Sequence, residues 1–209
     1  MAQATSPMRR AERRAHLLDC ALKVFAERGY HAATIADIIR KAGVARGTFY
    51  LYFEIKRVVF DQLLNDLFAA LASRVRRIDP SRGPSGVVAQ MESNVDDVLG
   101  YLLENRPMLR VLLAEAVGLD PGFDQKLVEF YGRLITLIEE ALRQGLRMKL
   151  LRKMDIQVTA LCVLGSIKEV LYQVAMGSQL PERPMIVDGI LRYNVRALFV
   201  PDVADRLKM

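Results

Sequence analysis

Two cysteines and two histidines in 209 residues leave this chain few of the groups that build disulfide frameworks, metal centres or nucleophilic triads. Cys20 and Cys162 each fall within an apolar helical pattern. Both are expected as buried small hydrophobes in a reducing compartment rather than as redox sensors. His16 and His31 have no cysteine or acidic partner at metal-ligand spacing, so no metal and no other cofactor is expected. Only 8 prolines and 13 glycines interrupt a chain that is 52% hydrophobic, ample material for a core. No segment alternates with the period of two that a half-buried strand needs, which argues against a sheet. The opening ten residues lack the apolar centre of a secretory signal. The longest apolar run, Val158 to Ile167, stops at Lys168-Glu169, too short to span a bilayer. A cytoplasmic protein without a membrane segment is expected. The absence of paired acids, glycine-rich loops or a cysteine or histidine cluster argues against an enzyme.

Charge is present but unevenly placed. The 30 Lys+Arg and 24 Asp+Glu give a net of +6. Residues 1–77 hold 14 of the basic and 7 of the acidic groups, a local +7, which leaves −1 for residues 78–209. A basic module beside a near-neutral one is the electrostatic footprint of a polyanion binder. Arg9, Arg10, Arg13 and Arg14 are placed to reach phosphates or a minor groove, or else form a solvated basic tail.

The most informative stretch runs from Thr34 to Lys56. Thr34 is a helix cap, its hydroxyl accepting an amide of the first turn. Ile35, Ile38, Ile39 and Ala42 fall on one apolar stripe, and Gly43 follows where a left-handed residue ends a helix. A second helix is expected from Ala45 or Arg46 to Phe53, with Phe49 and Phe53 one turn apart and inward. Gly47, Thr48 and Leu51 then point outward, with Tyr50 and Tyr52 on the flanks. The pair reads as a helix-turn-helix whose second member enters a DNA groove. Arg46 sits in the turn that reaches base edges, and Leu51 offers an apolar contact for a thymine methyl group. Tyr50, Tyr52 and Lys56 suit phosphate oxygens.

Residues 13–64 resemble the DNA-binding domain of the tetracycline-repressor (TetR) family of bacterial transcriptional regulators. The likeness is carried by Ala21, Phe25, Gly29-Tyr30, Thr34, Ile38, Ala42-Gly43-Val44, Gly47-Thr48-Phe49-Tyr50, Tyr52-Phe53 and Lys56, without a gap from Phe25 onward. The resemblance implies a homodimer, a palindromic operator on double-stranded DNA, and a small-molecule effector bound in the C-terminal part. By position it implies that Thr34 touches phosphate, that Arg46, Gly47, Thr48 and Leu51 lie in the major groove, and that Tyr50, Tyr52 and Lys56 clamp the backbone. Three residues depart from the family pattern. Ala45 and Ile55 stand where polar caps are usual, and Ile39 replaces an alanine.

The remainder reads as a succession of helices. An all-α fold of about nine helices is expected: an N-terminal three-helix DNA-binding domain, then a helical-bundle domain for ligand binding and dimerisation. Residues 1–55 form the first, 56–78 a joining fourth helix, and 79–209 the second. The breaker-rich Asp79–Gly86 marks the boundary. Later helices are expected at Val87–Glu104, Pro107–Val117, Phe123–Met148, Asp155–Met176 and Pro184–Phe199, the last two providing the dimer interface. Met91, Tyr101, Met108, Leu112, Phe123 and Tyr131 are candidates to line a pocket for a largely apolar effector, with Asp96 and Glu115 available to orient a polar group. The expected function is that of a nucleoid-associated homodimeric repressor that releases its operator when the effector binds. The alternatives are an activator of the same fold, a helical adaptor or a helical enzyme.

Overall fold

The computed structural model describes residues 7–113, 121–179 and 181–201. Among these residues the chain is built of nine α-helices: α1 (Pro7–Arg28), α2 (Ile35–Ala42), α3 (Arg46–Tyr50), α4 (Lys56–Arg74), α5 (Gly83–Glu104), α6 (Arg106–Leu113), α7 (Pro121–Arg147), α8 (Ile156–Ala175) and α9 (Arg183–Leu198). The only β-type pairing among them is an isolated bridge between Leu151 and Phe199. The expected all-α architecture is therefore the observed one.

Helices α1 to α3 pack around Leu17, Ala21, Val24, Phe25, Ile38, Phe49 and Phe53, all buried. This headpiece does not own a separate core. One buried cluster continues from these residues through Val59, Phe60, Leu64 and Leu67 of α4 to Met108, Leu109 and Leu112 of α6 and Phe123 and Leu127 of α7. Helix α6 lies against α1, and α4 against both α5 and α7. At the seam, Phe123 packs 4.6 Å from Phe60, 4.5 Å from Tyr30 and 5.1 Å from His31, ring centre to ring centre. Such tilted and offset aromatic pairs add to the burial of their large apolar area. A second buried cluster, Leu142, Leu151, Ala160, Val195 and Phe199, closes the far end of the bundle.

The boundaries on either side of the α4–α5 connection differ from the sequence expectation. Helix α4 stops at Arg74 because the backbone beyond it finds other partners. The amide and carbonyl of Arg76 pair with the side chain of Asn94, and those of Asp79 with Gln90, both on α5. Helix α5 starts at Gly83, four residues before Val87. A proline in the first helical turn sacrifices an amide that has no intrahelical partner anyway, so Pro84 opens the helix rather than breaking it. The expected end of the sixth helix at Val117, and Glu115, lie outside the described residues.

Helix α8 is more exposed than a core helix. Only Ala160 and Leu171 are buried along it, while Val158, Leu161 and Cys162 face outward. Cys162 is thus not the interior hydrophobe its surroundings suggest; its helix turns an apolar face away from its own bundle. On length and composition alone α8, with a mean hydropathy of 1.4, is long and apolar enough to cross a membrane, since Lys168-Glu169 do not end it. Its other face packs on α6 and α7.

Candidate nucleic-acid interface

The turn from α1 to α3 is fixed from the residues upward. Thr34 adopts an extended conformation before α2, and its hydroxyl accepts the Asp37 amide at 3.2 Å. In return the Thr34 amide and hydroxyl donate to one Asp37 carboxylate oxygen at 3.1 and 2.7 Å. This reciprocal capping box satisfies the orphan donors of the helix start. Arg28 and Arg40 close on the other carboxylate oxygen at 3.0 and 3.1 Å. The hydrogen bonds from Thr34, foremost that of its hydroxyl, hold the Asp37 carboxyl below its usual range, and both arginines add to the effect. Asp37 went unremarked in the sequence, although Thr34-x-x-Asp37 before an apolar stripe is a legible capping signature. Gly43 then takes φ 63° and its amide returns to Arg40, ending α2 in the left-handed conformation that glycine tolerates.

Helix α3 is shorter than expected, ending at Tyr50 rather than Phe53. Its last turn tightens as the Tyr52 and Phe53 amides both turn to the Phe49 carbonyl, which seats Phe53 beside Phe49 with ring centres 5.8 Å apart. With those two rings buried, Arg46, Gly47, Tyr50 and Leu51 are exposed and Thr48 and Tyr52 half-buried. Leu51 is 73% exposed. The Arg46 guanidinium lies over the Tyr50 ring, 5.8 Å from its centre. Among the described residues neither the Tyr50 nor the Tyr52 hydroxyl has a protein hydrogen-bond partner. Ala45 and Ile55 precede α3 and α4 without a side-chain cap, as their identity dictates.

Two residues expected on phosphate are otherwise engaged. Both hydrogen-bond donors of Thr34 are spent on Asp37, so its part is to position α2. The Lys56 ammonium donates to the carbonyls of Tyr30, Ala33 and His31 at 2.6, 2.9 and 3.3 Å and lies 4.3 Å from the centre of the Tyr30 ring. It thereby pins the α1–α2 turn to the first residue of α4. Its sequence position next to an exposed helix start suggested phosphate, but the facing loop presents three carbonyls within reach. The basic entry is no free arm either. Arg10 and Arg13 ride on the outside of α1, and Arg14 turns inward to Gln62 (2.8 Å) and the face of Phe53. The side chain of Arg9 lies outside the described residues.

Among the described residues the remaining titratable groups show no reactive constellation. Burial, more than the neighbouring Asp19, pushes the Cys20 thiol up, which makes it a poorer nucleophile. His16 bridges helices through Nε2, 3.1 Å from the Ala42 carbonyl oxygen. No group of three or more His, Cys, Asp or Glu placed to hold a metal ion occurs among the described residues.

The six effector candidates take different places in the fold, and none of them lines either of the two grooves described below. Phe123 belongs to the aromatic seam with the headpiece and Met91 to the second cluster. Tyr101 carries the Arg74 guanidinium 3.9 Å from its ring centre. Met108 and Leu112 are buried on α6, and Tyr131 reaches the Leu112 carbonyl only weakly, at 3.5 Å. Burial pushes the Tyr131 phenol up to about 12. Asp96 is paired with Arg183. Two grooves are open instead. One, of about 770 Å³, lies between α5 and α9, and the other, of about 360 Å³, between α8 and α9.

Comparison with known proteins places this geometry. The model of the bacterial regulatory proteins of the tetR family matches residues 17–63. Over 164 residues the chain is 27% identical to the uncharacterised HTH-type transcriptional regulator YdgC of Bacillus subtilis, covering 75% of this chain and 78% of that one. Over 66 residues it is 39% identical to the HTH-type transcriptional repressor KstR2 of Rhodococcus jostii, covering 32% of each. The fold matches that of FadR from Bacillus subtilis, solved in complex with stearoyl-CoA, with a TM-score of 0.72 at 20% identity, over 87% of this chain and 97% of FadR. These relatives are transcriptional regulators and not enzymes. The helix-turn-helix of residues 17–63 is thus that of the tetR family of bacterial regulatory proteins, carried on an all-helical fold that the chain shares with transcriptional regulators of that family.

Proposed function

We propose that the protein is a homodimeric repressor that grips a palindromic operator with two headpieces and lets go when a small, largely apolar effector binds its C-terminal domain. Residues 1–55 serve as the reading head, α4 as the lever, and the residues beyond 79 as the sensing and pairing unit. The observation that carries this reading is the division of α3 and its flanks. Phe49 and Phe53 are sealed inside, while Arg46, Gly47, Tyr50 and Leu51 stand free on a segment holding all of the chain's excess positive charge. Arg46 and Thr48 read base edges in the major groove. Tyr50 and Tyr52 hold phosphates, while Thr34 and Lys56 set the angle at which α3 is offered.

Pairing through α8 and α9 follows from the apolar face they leave uncovered. Val158, Leu161, Met185 and Tyr193 are each at least half exposed. Covering such a patch against a second copy removes it from water, and a two-fold axis sets the two reading helices about 34–36 Å apart, one turn of DNA. The effector acts because it prefers the state in which the heads are misplaced; equal affinity for both states would shift nothing. A fatty acyl thioester is the first class to test, since FadR holds stearoyl-CoA. Met108 and Leu112 on α6, which packs on α8, and the Tyr131 phenol facing Leu112 are the first residues to vary in seeking its site. The protein then works in the cytoplasm, on the nucleoid.

The test is a titration of the full chain against duplexes recovered from a random pool, with and without stearoyl-CoA, alongside sedimentation of the free protein. Expected are a dimer, a two-fold symmetric consensus with steep salt dependence, and weaker binding with the thioester. A monomer at high concentration, or binding indifferent to sequence, would sink the reading. Unchanged affinity at saturating stearoyl-CoA would sink the acyl thioester.

A further inference from the structure

We propose that Gly47 and Leu51 form a notch and a knob that read the 5-methyl group of one thymine in each half-site, Leu51 supplying the contact and Gly47 the clearance. The inference rests on the reading of α3 as a base-reading helix and adds a base identity to it.

Gly47 is the starting observation. It lies inside a helix with φ outside the left-handed region, so its backbone does not need glycine. A Cβ built on it would meet nothing within 4 Å, so no neighbour in the protein needs the space. Glycine inside a helix is less stable than alanine, through the extra chain entropy it loses. Nothing in the fold therefore calls for glycine here, and the missing side chain leaves the outward face clear for a close approach by another surface. Gly43, four residues earlier, makes the contrast: its φ of 63° gives a conformational reason for glycine.

Leu51 supplies the direction. Its amide donates to the Gly47 carbonyl at 3.2 Å, so the two residues lie one turn apart on the same outward face. Leu51 is 73% exposed on that face. Leucine can neither give nor accept a hydrogen bond. Pressed on the N7, O6 or amino group of a purine it would leave that polar atom unpaired, which is costly once water is excluded. The thymine methyl is the one apolar group that base pairs display in the major groove. Exposed Arg46, one residue before Gly47, and the local +7 make a polyanion the occupant of this face rather than an apolar protein surface.

The experiment uses the full-length protein and operators recovered from a random duplex pool. Each thymine of the consensus is replaced in turn by deoxyuridine, which removes the methyl and nothing else. At one position per half-site, demethylation should weaken the wild-type protein about four-fold, and about fifteen-fold when both half-sites are changed, the value of one buried methyl-sized group each. Leu51→Ala should lose affinity for the thymine operator and be indifferent to the same replacement. Gly47→Ala should fold with an unfolding midpoint equal to or above the wild type, yet bind the operator at least ten-fold more weakly. Wild type and L51A responding alike to every deoxyuridine, or G47A binding as well as wild type, would overturn the proposal while leaving DNA reading intact. A pool that yields no preferred sequence would overturn both, and a protein ligand gripping Leu51 would show itself by L51A leaving all DNA affinities unchanged.

Discussion

Replacing Lys56 with methionine keeps the stem of the side chain and deletes only its charge, which separates two roles that a lysine beside a DNA-reading helix can play. In the structure the ammonium makes two short bonds, to the carbonyls of Tyr30 and Ala33, a longer one to His31, and a cation–π contact with the Tyr30 ring. Hydrogen bonds involving a charged group contribute about 1.5–3 kcal/mol each, and a half-buried cation–π pair about 0.5–1 kcal/mol. Part of this is returned because methionine avoids the desolvation of the ammonium, so the net loss expected is about 2–4 kcal/mol. Against a typical total of about 5–15 kcal/mol that is a large fraction, and at about 2–4 °C per kcal/mol the unfolding midpoint should fall by about 5–15 °C. The measurement is unfolding at fixed protein concentration, paired with operator affinity between about 50 and 200 mM salt. A lysine that neutralises a phosphate lowers the slope of log K against log salt by about 0.9 per contact, hence about 1.8 for a dimer. The geometry predicts a destabilised protein whose slope barely changes. A variant of wild-type stability with a slope reduced by almost two would refute the assignment of Lys56 to the turn and restore it to the phosphates.

Other outcomes follow from the same coordinates. The Asp37 carboxyl, held below its ordinary value of 3.8 by Thr34 and the two arginines, stabilises the fold fully above that value and ceases to do so as pH falls through its lower folded value. Acid unfolding of Asp37→Asn should lack this step, and identical acid profiles would count against it. Ala45→Ser supplies the missing cap of α3 and should raise stability by about 0.5–1 kcal/mol, measured by urea unfolding. Leu161→Glu charges the outer face of α8 and should give a folded monomer by sedimentation with operator affinity much reduced; an unaltered dimer would exclude that face from the interface. Phe123→Ala opens a hole between headpiece and bundle and should cost about 3–5 kcal/mol in unfolding experiments.

What the sequence disclosed and what it hid divide along physical lines. Local rules were enough for the Thr34 cap, the left-handed Gly43, the inward Phe49 and Phe53, and the uncapped starts at Ala45 and Ile55, since each depends on neighbours a turn away. The fates of Lys56 and Phe123 depend on partners 23 to 26 and 63 to 93 residues distant, and no periodicity encodes which loop a long side chain will meet. Residues 79–86 misled for another reason. Prolines and glycines mark both a linker and a helix start, and only the side chains of Gln90 and Asn94 decide where the backbone turns. The effector candidates were chosen by residue type alone, and type cannot separate a pocket from a core, because the apolar side chains that line the one also fill the other.

The aromatic seam has a bearing on how such regulators are rewired. A headpiece exchanged as residues 1–55 arrives with the donor's residue at the place of Tyr30, while Phe60 and Phe123 stay with the recipient. On the proposed function, a transplanted reader would bring its own operator preferences at once, but would answer the recipient's effector only where its ring fits the two it meets. Compatibility at this three-ring joint would then set which hybrids of sensor and reader can be made to switch.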